Sequence, residues 1–400
     1  MVAVLTSTEA VRDGSVFGLR PRLWLMTFGH LVIDSNPALL FALVPVIVAH
    51  LRIDFAQAGA LVTVLLMTSS ITQPLFGLLQ DRRPAFPTAS LGLLVAGSAM
   101  AATGFATTFA QMVALVIVAG LGVAAFHPQA VAQAARASAG RKEWGIAVFF
   151  TGGSTGTGIM SLAIVPLAAA FGPGATLVAL VPAVVAAALF ARATSISSTS
   201  IPAMTGASTM TSSVRAVGFP LSMLLSVSIL RSAVLTAYLA FLPALATYRS
   251  GSLAVGGAAL AAFLFAGSAG ALLGGAAAHV YGSSRVVTAS LVTGMLALLP
   301  VPWLPASLLV PWMFVAGILF FASEAQVTAL AQRLLPAFVG IASSLMMGVG
   351  LGIGNVGAFV AGAVADLRGI PFALASITLV LAPAIAASLA YAVSMRKLRA

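Results

Sequence analysis

No cysteine occurs among the 400 residues, and only eight residues are acidic. The first absence excludes a disulfide framework and any thiolate metal centre. The second, with charged residues at 7% in all, excludes the solvated surface of a soluble protein, where about a quarter of residues are charged. A net charge of +11 would suit a nucleic-acid partner if it were clustered, but here it is scattered singly through short polar turns. That pattern argues for a membrane-orientation signal and against nucleic acid.

What the chain does contain is apolar: 60% of its residues, with a mean hydropathy of +1.11. Lipid is therefore its solvent, and twelve crossings of about 20 residues with short turns fill its length, leaving no room for a soluble catalytic domain. Apolar runs bounded by Gly, Pro and polar punctuation place these crossings at residues 23–49, 55–79, 86–106, 109–135, 144–170, 174–191, 217–246, 252–280, 286–303, 307–333, 339–365 and 371–395. The fold class expected is an all-α membrane protein of two six-helix halves, residues 1–193 and 216–400. A Ser/Thr-rich linker at 194–215, carrying Pro202 and Gly206, joins them. Nothing before Arg20 is apolar enough for a cleavable signal, so the first span is expected to target the chain. Fifteen Lys and Arg fall on one side of these spans, against Arg52, Arg249 and Arg368 on the other. That bias predicts both termini and the linker in the cytoplasm.

The two halves are copies. Gly120, His127 and Arg136 recur as Gly317, Glu324 and Arg333, with Gln129 matched by Gln326. Gly59, Gly77 and Asp81 recur as Gly257, Gly275 and His279, and Pro45 as Pro243. A repeat of this length in an apolar chain implies a transporter of two parallel halves, with its site between them near the bilayer midplane.

Charges inside spans are costly, so each is a candidate for function. Asp34 lies within span 1, with His30 one turn before it and Asn36 and Pro37 after it. Its expected partner across the midplane is Arg231, well inside span 7, because spans 1 and 7 are repeat mates. Phe126-His127-Pro128-Gln129 places a titratable ring beside a helix kink, which suits a proton relay. Glu324 is the one Glu inside a span and stands where His127 stands in the first copy, with Gln326 close by. Asp34, Glu324 and His127 are thus the expected proton carriers, and Arg231, His30, Asn36, Gln129 and Gln326 the expected substrate contacts. No cofactor and no metal are expected.

Glycine-dense stretches at Gly152–Gly158 and Gly348–Gly357 contain G-x-S-x-G and G-x-G-x-x-G spellings. Apolar helical flanks deny both the strand that a nucleophile elbow or dinucleotide site requires. Small residues at i and i+4 (152/156, 348/352, 350/354) are instead expected to let spans 5 and 11 pack closely and slide between the halves.

Gly77, Asp81, Arg82 and Arg83 match a G-x-x-x-D-R-[RK] pattern at the end of span 2, and on these residues the chain resembles the major facilitator superfamily. The resemblance implies that this loop latches the cytoplasmic side while the halves rock. Gly29-His30 through Asp34, Gln57 to Thr63, Thr68 to Gly77 and Gly120 to Pro128 further resemble the fosmidomycin resistance protein family of drug efflux transporters. That likeness is much weaker in the second half, where Arg231 and Phe241 to Pro243 are the main echoes. The chain departs from the family at Ile33, usually Asn, and at Gln129, usually Glu.

These readings converge on a secondary active transporter that is not an enzyme. The expected activity is proton-coupled efflux, by antiport, of a small anionic or amphiphilic compound such as a drug. The alternative is an importer or uniporter of a small organic metabolite on the same fold. Its expected partners are the substrate, protons and the lipid bilayer, and a monomer is expected. An intramembrane enzyme lacks paired catalytic groups in this sequence, and a channel lacks a repeated ring of charge.

Overall fold

A computed structural model describes residues 20–83, 85–138, 142–194 and 217–397, and among the described residues all regular structure is helical. The first half comprises α1 (Pro21–Leu51), α2 (Phe55–Arg82), α3 (Thr88–Ala102), α4 (Phe109–Ala137), α5 (Lys142–Phe171) and α6 (Leu180–Thr194). The second comprises α7 (Gly218–Ser250), α8 (Leu253–Tyr281), α9 (Ser283–Leu298), α10 (Ala306–Phe321 and Glu324–Leu334), α11 (Val339–Ser344, Leu351–Gly354 and Gly357–Arg368) and α12 (Ile370–Thr378 and Leu381–Lys397). The linker expected at 194–215 lies almost wholly outside the described residues.

Local chemistry sets several of these ends. Pro21 opens α1, where its missing N–H leaves no bond unmade. Asp54 and Gln57 form a reciprocal capping box at the start of α2, and the Thr108 side chain caps α4 by accepting from the Gln111 amide. Val148–Ala193 is one helical stretch of 46 apolar-rich residues, more than one crossing can use. Gly172, at a φ of 58°, turns it back, and a 3₁₀ segment, Gly172–Ala179, delays the start of α6 to Leu180. With this stretch counted as two, the eleven candidate membrane spans amount to twelve crossings.

Three helices are broken where the sequence reading has continuous spans. The α10 backbone opens at Ala322–Ser323, so that Glu324 begins a new segment. A carboxylate is favoured there, because the exposed N–H groups of a helix start carry partial positive charge. In α11 a π-helical stretch, Leu345–Gly350, interrupts the glycine-rich run. The third break, in α12, falls between Thr378 and Leu381.

Packing repeats between the halves. α1 lies along α5 as α7 lies along α11, α2 packs on α4 as α8 packs on α10, and α3 meets α4 and α6 as α9 meets α10 and α12. The halves meet through α2 on α11, α5 on α8 and α1 on α7. Repeat-matched glycines explain much of this. A Cβ at Gly120 would strike the Leu65 carbonyl of α2, and one at Gly317 the Phe263 carbonyl of α8. Gly59 sits on the Ala358 carbonyl of α11 and Gly257 on the Ser161 carbonyl of α5, so this pair joins the two halves. Gly77 has open space beside it and Gly275 only the Gln326 side chain at 3.9 Å. The halves therefore close on each other at the end bearing Gly59 and Gly257, and stand apart at the end bearing Gly77 and Gly275. Leu75, Leu78, Leu272 and Leu273 are exposed at the parted end.

The glycine stripes correct one expectation in part. Gly152 and Gly156 are pressed against the Thr27 and Leu31 carbonyls of α1, while Gly350, Gly354 and Gly357 meet Ser228, Ile229, Ser232 and Ala233 of α7. These contacts hold that face of each helix inside its own half. Across the halves, a Cβ at Gly158 would meet the Phe265 ring of α8, and one at Gly352 would stand 3.6 Å from Ser70 of α2.

The closed end carries a clamp absent from the sequence reading. Asp366, near the end of α11, accepts hydrogen bonds from the Phe55 and Ala56 amides, both at 2.8 Å. These are free N–H groups at the start of α2, so an acid of one half caps a helix of the other. The site is exposed, which limits the clamp to about 1 kcal/mol, roughly a fivefold shift between closed and open ends. In the cysteine-free chain, spin labels on Ala49→Cys and Leu367→Cys should report a longer-distance population on adding Asp366→Ala. Unchanged distance distributions would show that the clamp contributes nothing to closure.

Candidate functional site

Among the described residues, two groups of charged and titratable side chains lie within the bundle, one in each half. In the first, α1 supplies His30 and Asp34 on successive turns and α4 supplies His127. His30 Nε2 lies 3.1 Å from Asp34 Oδ2, and His127 Nε2 lies 3.5 Å from Asp34 Oδ1. Both rings are anchored from behind. His30 Nδ1 is 2.7 Å from the Phe149 carbonyl, and its ring stacks on Phe149 at 4.2 Å between centroids. His127 Nδ1 is 2.8 Å from the Val123 carbonyl. A carbonyl oxygen can only accept, so each Nδ1 carries the hydrogen. In a neutral ring Nε2 is then a bare lone pair, and both lone pairs face a carboxylate that also accepts. Three acceptors at hydrogen-bond distance repel one another unless a cation or a donor lies among them. The group is therefore built to take up positive charge.

Gly153 of α5 makes this possible, because a Cβ there would collide with Asp34 Oδ2 and His30 Nε2. Thr157, one turn on, donates to the Asp34 backbone carbonyl at 3.0 Å and ties α1 to α5 at this level. His30 is buried, but the Asp34 side chain keeps 30% of its surface exposed.

In the second half, Arg231 of α7 is 4% exposed, and its Nη2 lies 3.4 Å from Glu324 Oε2. Phe320 and Phe321 of α10 lie under the guanidinium, with ring centroids 4.9 and 5.6 Å from its central carbon. The Glu324 contact has the distance of an ion pair without the geometry of a hydrogen bond, and Arg231 Nε and Nη2 have no hydrogen-bond partner. A buried arginine at mid-span costs about 3 kcal/mol. Cation–π contact returns about 1–2 kcal/mol, and one long ion pair to a side chain 45% exposed does not make up the rest. Two donors are thus held dry and unused, an arrangement that favours an incoming anion.

The expected Asp34–Arg231 pair is corrected by this geometry. Asp34 is engaged by His30 and His127, and Arg231 by Glu324. The repeat explains the error: Asp34 and Arg231 occupy equivalent places, as do His127 and Glu324, and each place pairs within its own half.

The amides expected at the substrate have other occupations. Gln129 accepts from the Ala89 amide and the Thr88 hydroxyl and donates to the Phe86 carbonyl, so its carboxamide holds the start of α3. Asn36 donates to the Val32 and Ile33 carbonyls of its own helix and is buried, with Oδ1 lacking a partner. Gln326 is buried beside Gly275. Gly77, Arg82 and Arg83 lie at the parted end of α2, and the Asp81 side chain is outside the described residues. Phe320 and Phe321 escape a reading of the sequence because aromatics are common in apolar spans. Asp366 escapes it because, read alone, it belongs to a charged turn.

Comparison with known proteins agrees with the fold. The family model described as Major Facilitator Superfamily matches residues 23–354. The fosmidomycin resistance protein of Escherichia coli (strain K12) is 25% identical over 375 residues, covering 91% of this chain and 89% of that one. An uncharacterised MFS-type transporter of Bacillus subtilis (strain 168), YfnC, is 26% identical over 362 residues, covering 88% of each. Among solved structures, a bacterial homologue of the human lysosomal transporter Spinster, inward-facing and unoccupied, superposes with a TM-score of 0.74 at 14% identity, over 92% of this chain and 97% of that one. A mutant form of the nucleoside transporter NupG gives 0.73 at 15% identity, over 93% and 99%.

An unsatisfied buried charge works against stability even where it serves a function. Arg231→Met should therefore raise the melting temperature of the detergent-purified protein by about 2 °C, or leave it unchanged. A clear fall in thermal unfolding would show that the Glu324 and aromatic contacts fully compensate the guanidinium.

Proposed function

This chain belongs to the major facilitator superfamily, and from that premise we propose that it is a proton-coupled exporter of a small anionic or amphiphilic compound such as a drug. It is a multi-pass membrane transporter and not an enzyme. The observation that carries the substrate reading is Arg231, a buried guanidinium with two hydrogen-bond donors unused. Efflux as the direction is supported by the name of the Escherichia coli relative.

The two groups divide the work. An anionic end of the substrate takes Arg231 Nε and Nη2, displacing Glu324 from its long contact. The other end, bearing a donor or positive charge, takes the place of the proton among His30, Asp34 and His127. Substrate and proton then exclude each other at the acceptor group, which is the condition for exchange. Each can shift the balance of openings only by its different affinity for the two. The excess of Lys and Arg on one side supports both termini in the cytoplasm of an inner-membrane protein, so the parted end of this structure opens inward. Gly77, Asp81, Arg82 and Arg83 would then latch that end in the opposite state. One copy contains both groups, and it works as a monomer.

One observation favours a second reading, an importer that carries substrate with protons. Glu324 is the half-exposed partner of Arg231, and an anion that takes its place leaves Glu324 ready to accept a proton. The sign of the proton change separates the two. Substrate added to the weakly buffered, purified protein should release protons if exchange is correct and take them up if cotransport is correct.

Asp34→Asn removes the proton carrier of the exchange reading, and Glu324→Gln removes that of the cotransport reading. Each should insert and fold, since losing a charge eases insertion, and the first is expected to abolish pH-driven transport in inverted vesicles. Arg231→Ala should weaken substrate binding about a hundredfold, as expected for lost charge-assisted hydrogen bonds, and Arg231→Lys should restore only part. Wild-type pH-driven transport in both acid variants would overturn proton coupling. Unchanged affinity in Arg231→Ala would overturn the anion site.

A further inference from the structure

We infer that His30, Asp34 and His127 form a binding site for a divalent transition-metal ion of the zinc class. Their three candidate ligand atoms lie within 4.8 Å of one another. Zinc bonds of about 2.0–2.2 Å in a tetrahedron place ligand atoms roughly 3.4 Å apart. His30 Nε2 lies 3.1 Å from Asp34 Oδ2 and His127 Nε2 lies 3.5 Å from Oδ1, so the one carboxylate faces both nitrogens near that spacing. Side-chain adjustment within the 4.8 Å cluster brings all three onto one ion.

The orientation of the rings strengthens the case. A metal-binding imidazole nearly always donates its remote N–H to an oxygen behind it, which fixes the tautomer and aims the other nitrogen. Both histidines do this here, to the Phe149 and Val123 carbonyls, and both point Nε2 at the same carboxylate. In a helix of the same bundle, a histidine held for packing alone would have no reason to converge on a second one. Gly153 lets α5 come up against Asp34 and His30 where any Cβ would collide with their ligand atoms.

Donor chemistry selects the ion. Two imidazole nitrogens and one carboxylate suit zinc and its first-row neighbours, whereas calcium and magnesium require oxygen ligands. Three protein ligands leave at least one coordination position vacant, as in zinc sites that bind a further ligand. The exposed side of Asp34 marks where that position opens. The inference rests on the same acceptor geometry as the proton reading, with the ion replacing the proton, but on no assumption about substrate or direction. It revises the expectation, drawn from the sequence, that no metal is held.

The test uses full-length protein without a polyhistidine tag, stripped of metal and titrated with Zn²⁺ against a chromophoric chelator. Wild type should bind one Zn²⁺ per chain and show a rise in melting temperature that grows with Zn²⁺ concentration. Asp34→Asn and His127→Gln should each weaken binding at least tenfold, as loss of a ligand does, while Glu324→Gln, outside the group, should bind like wild type. Co²⁺ bound at the site should give visible absorption that His30→Gln abolishes, a signature that a packing role would not produce. Absence of stoichiometric Zn²⁺ binding by wild type would overturn the inference, as would equal binding by Asp34→Asn. Pairing these titrations with the vesicle assay keeps the two readings apart. If Zn²⁺ fails to bind while Asp34→Asn stops pH-driven transport, the metal site is wrong and proton coupling stands. Binding by wild type that Asp34→Asn abolishes, with transport unaffected, supports the metal site and overturns proton coupling at Asp34.

Discussion

Helices in hydrocarbon gain little by hiding apolar side chains from one another, because the lipid they leave is as apolar as the neighbour they meet. Contact at backbone distance must therefore do much of the assembling. Gly120 and Gly317 let α4 and α10 rest on the carbonyls of α2 and α8, and Gly152, Gly156, Gly354 and Gly357 bring α5 and α11 against α1 and α7. Each half is thereby a rigid block. Gly59, Gly257 and Gly362 then bring block against block at one end only, with the Asp366 clamp beside them. A bundle held this way can open by parting its few inter-half contacts without disturbing the many inside each half.

That rigidity is what makes the charged groups chemically useful. Asp34 and His30 could not keep their present places if Gly153 carried a side chain, since its Cβ would collide with both. The Nδ1 anchors of His30 and His127 are backbone carbonyls of α5 and α4, fixed by the same packing. Arg231 is held dry by Phe320 and Phe321 just before the break in α10, and the break delivers Glu324 at a helix start. Substitutions that loosen the glycine contacts should therefore affect function through geometry, without touching a charged residue.

Much of this is legible in the residues. The twelve spans emerge within a turn or so of their reading at most ends, because lipid demands long apolar stretches and short polar breaks. The main exception, α6, starts late because Gly172-Pro173-Gly174 winds a 3₁₀ connection that composition does not reveal. The repeat locates Asp34, His127, Arg231 and Glu324, yet it does not show how they pair. Equivalence in two copies says that residues share a place within their halves, which is a different statement from saying that they face each other. Gln129 illustrates another limit. A buried amide beside a kink reads as a ligand contact until the free N–H of Ala89 is known to need it. Most glycines of the α5 and α11 runs meet helices of their own halves, though Gly158 and Gly352 face the other half, since spacing shows which helix face is small but not which neighbour meets it.

The repeat carries a further regularity once the pairs are known. Asp34 and Arg231 lie about 197 residues apart, as do His127 and Glu324. The first half thus sets an acid on its first helix against a base on its fourth, and the second half sets a base against an acid in the same two places. The two halves thus carry opposite charge order at equivalent places, with two ring nitrogens about a carboxylate in one and a guanidinium with unused donors in the other. On the proposed function, an amphiphilic molecule reaching both groups would be favoured in one orientation only, because reversal would put its anion against Asp34 and its donors against Arg231. On that reading, selectivity for a molecule polarised end to end would follow from the symmetry of the fold and from its reversal of charge at these two pairs of places.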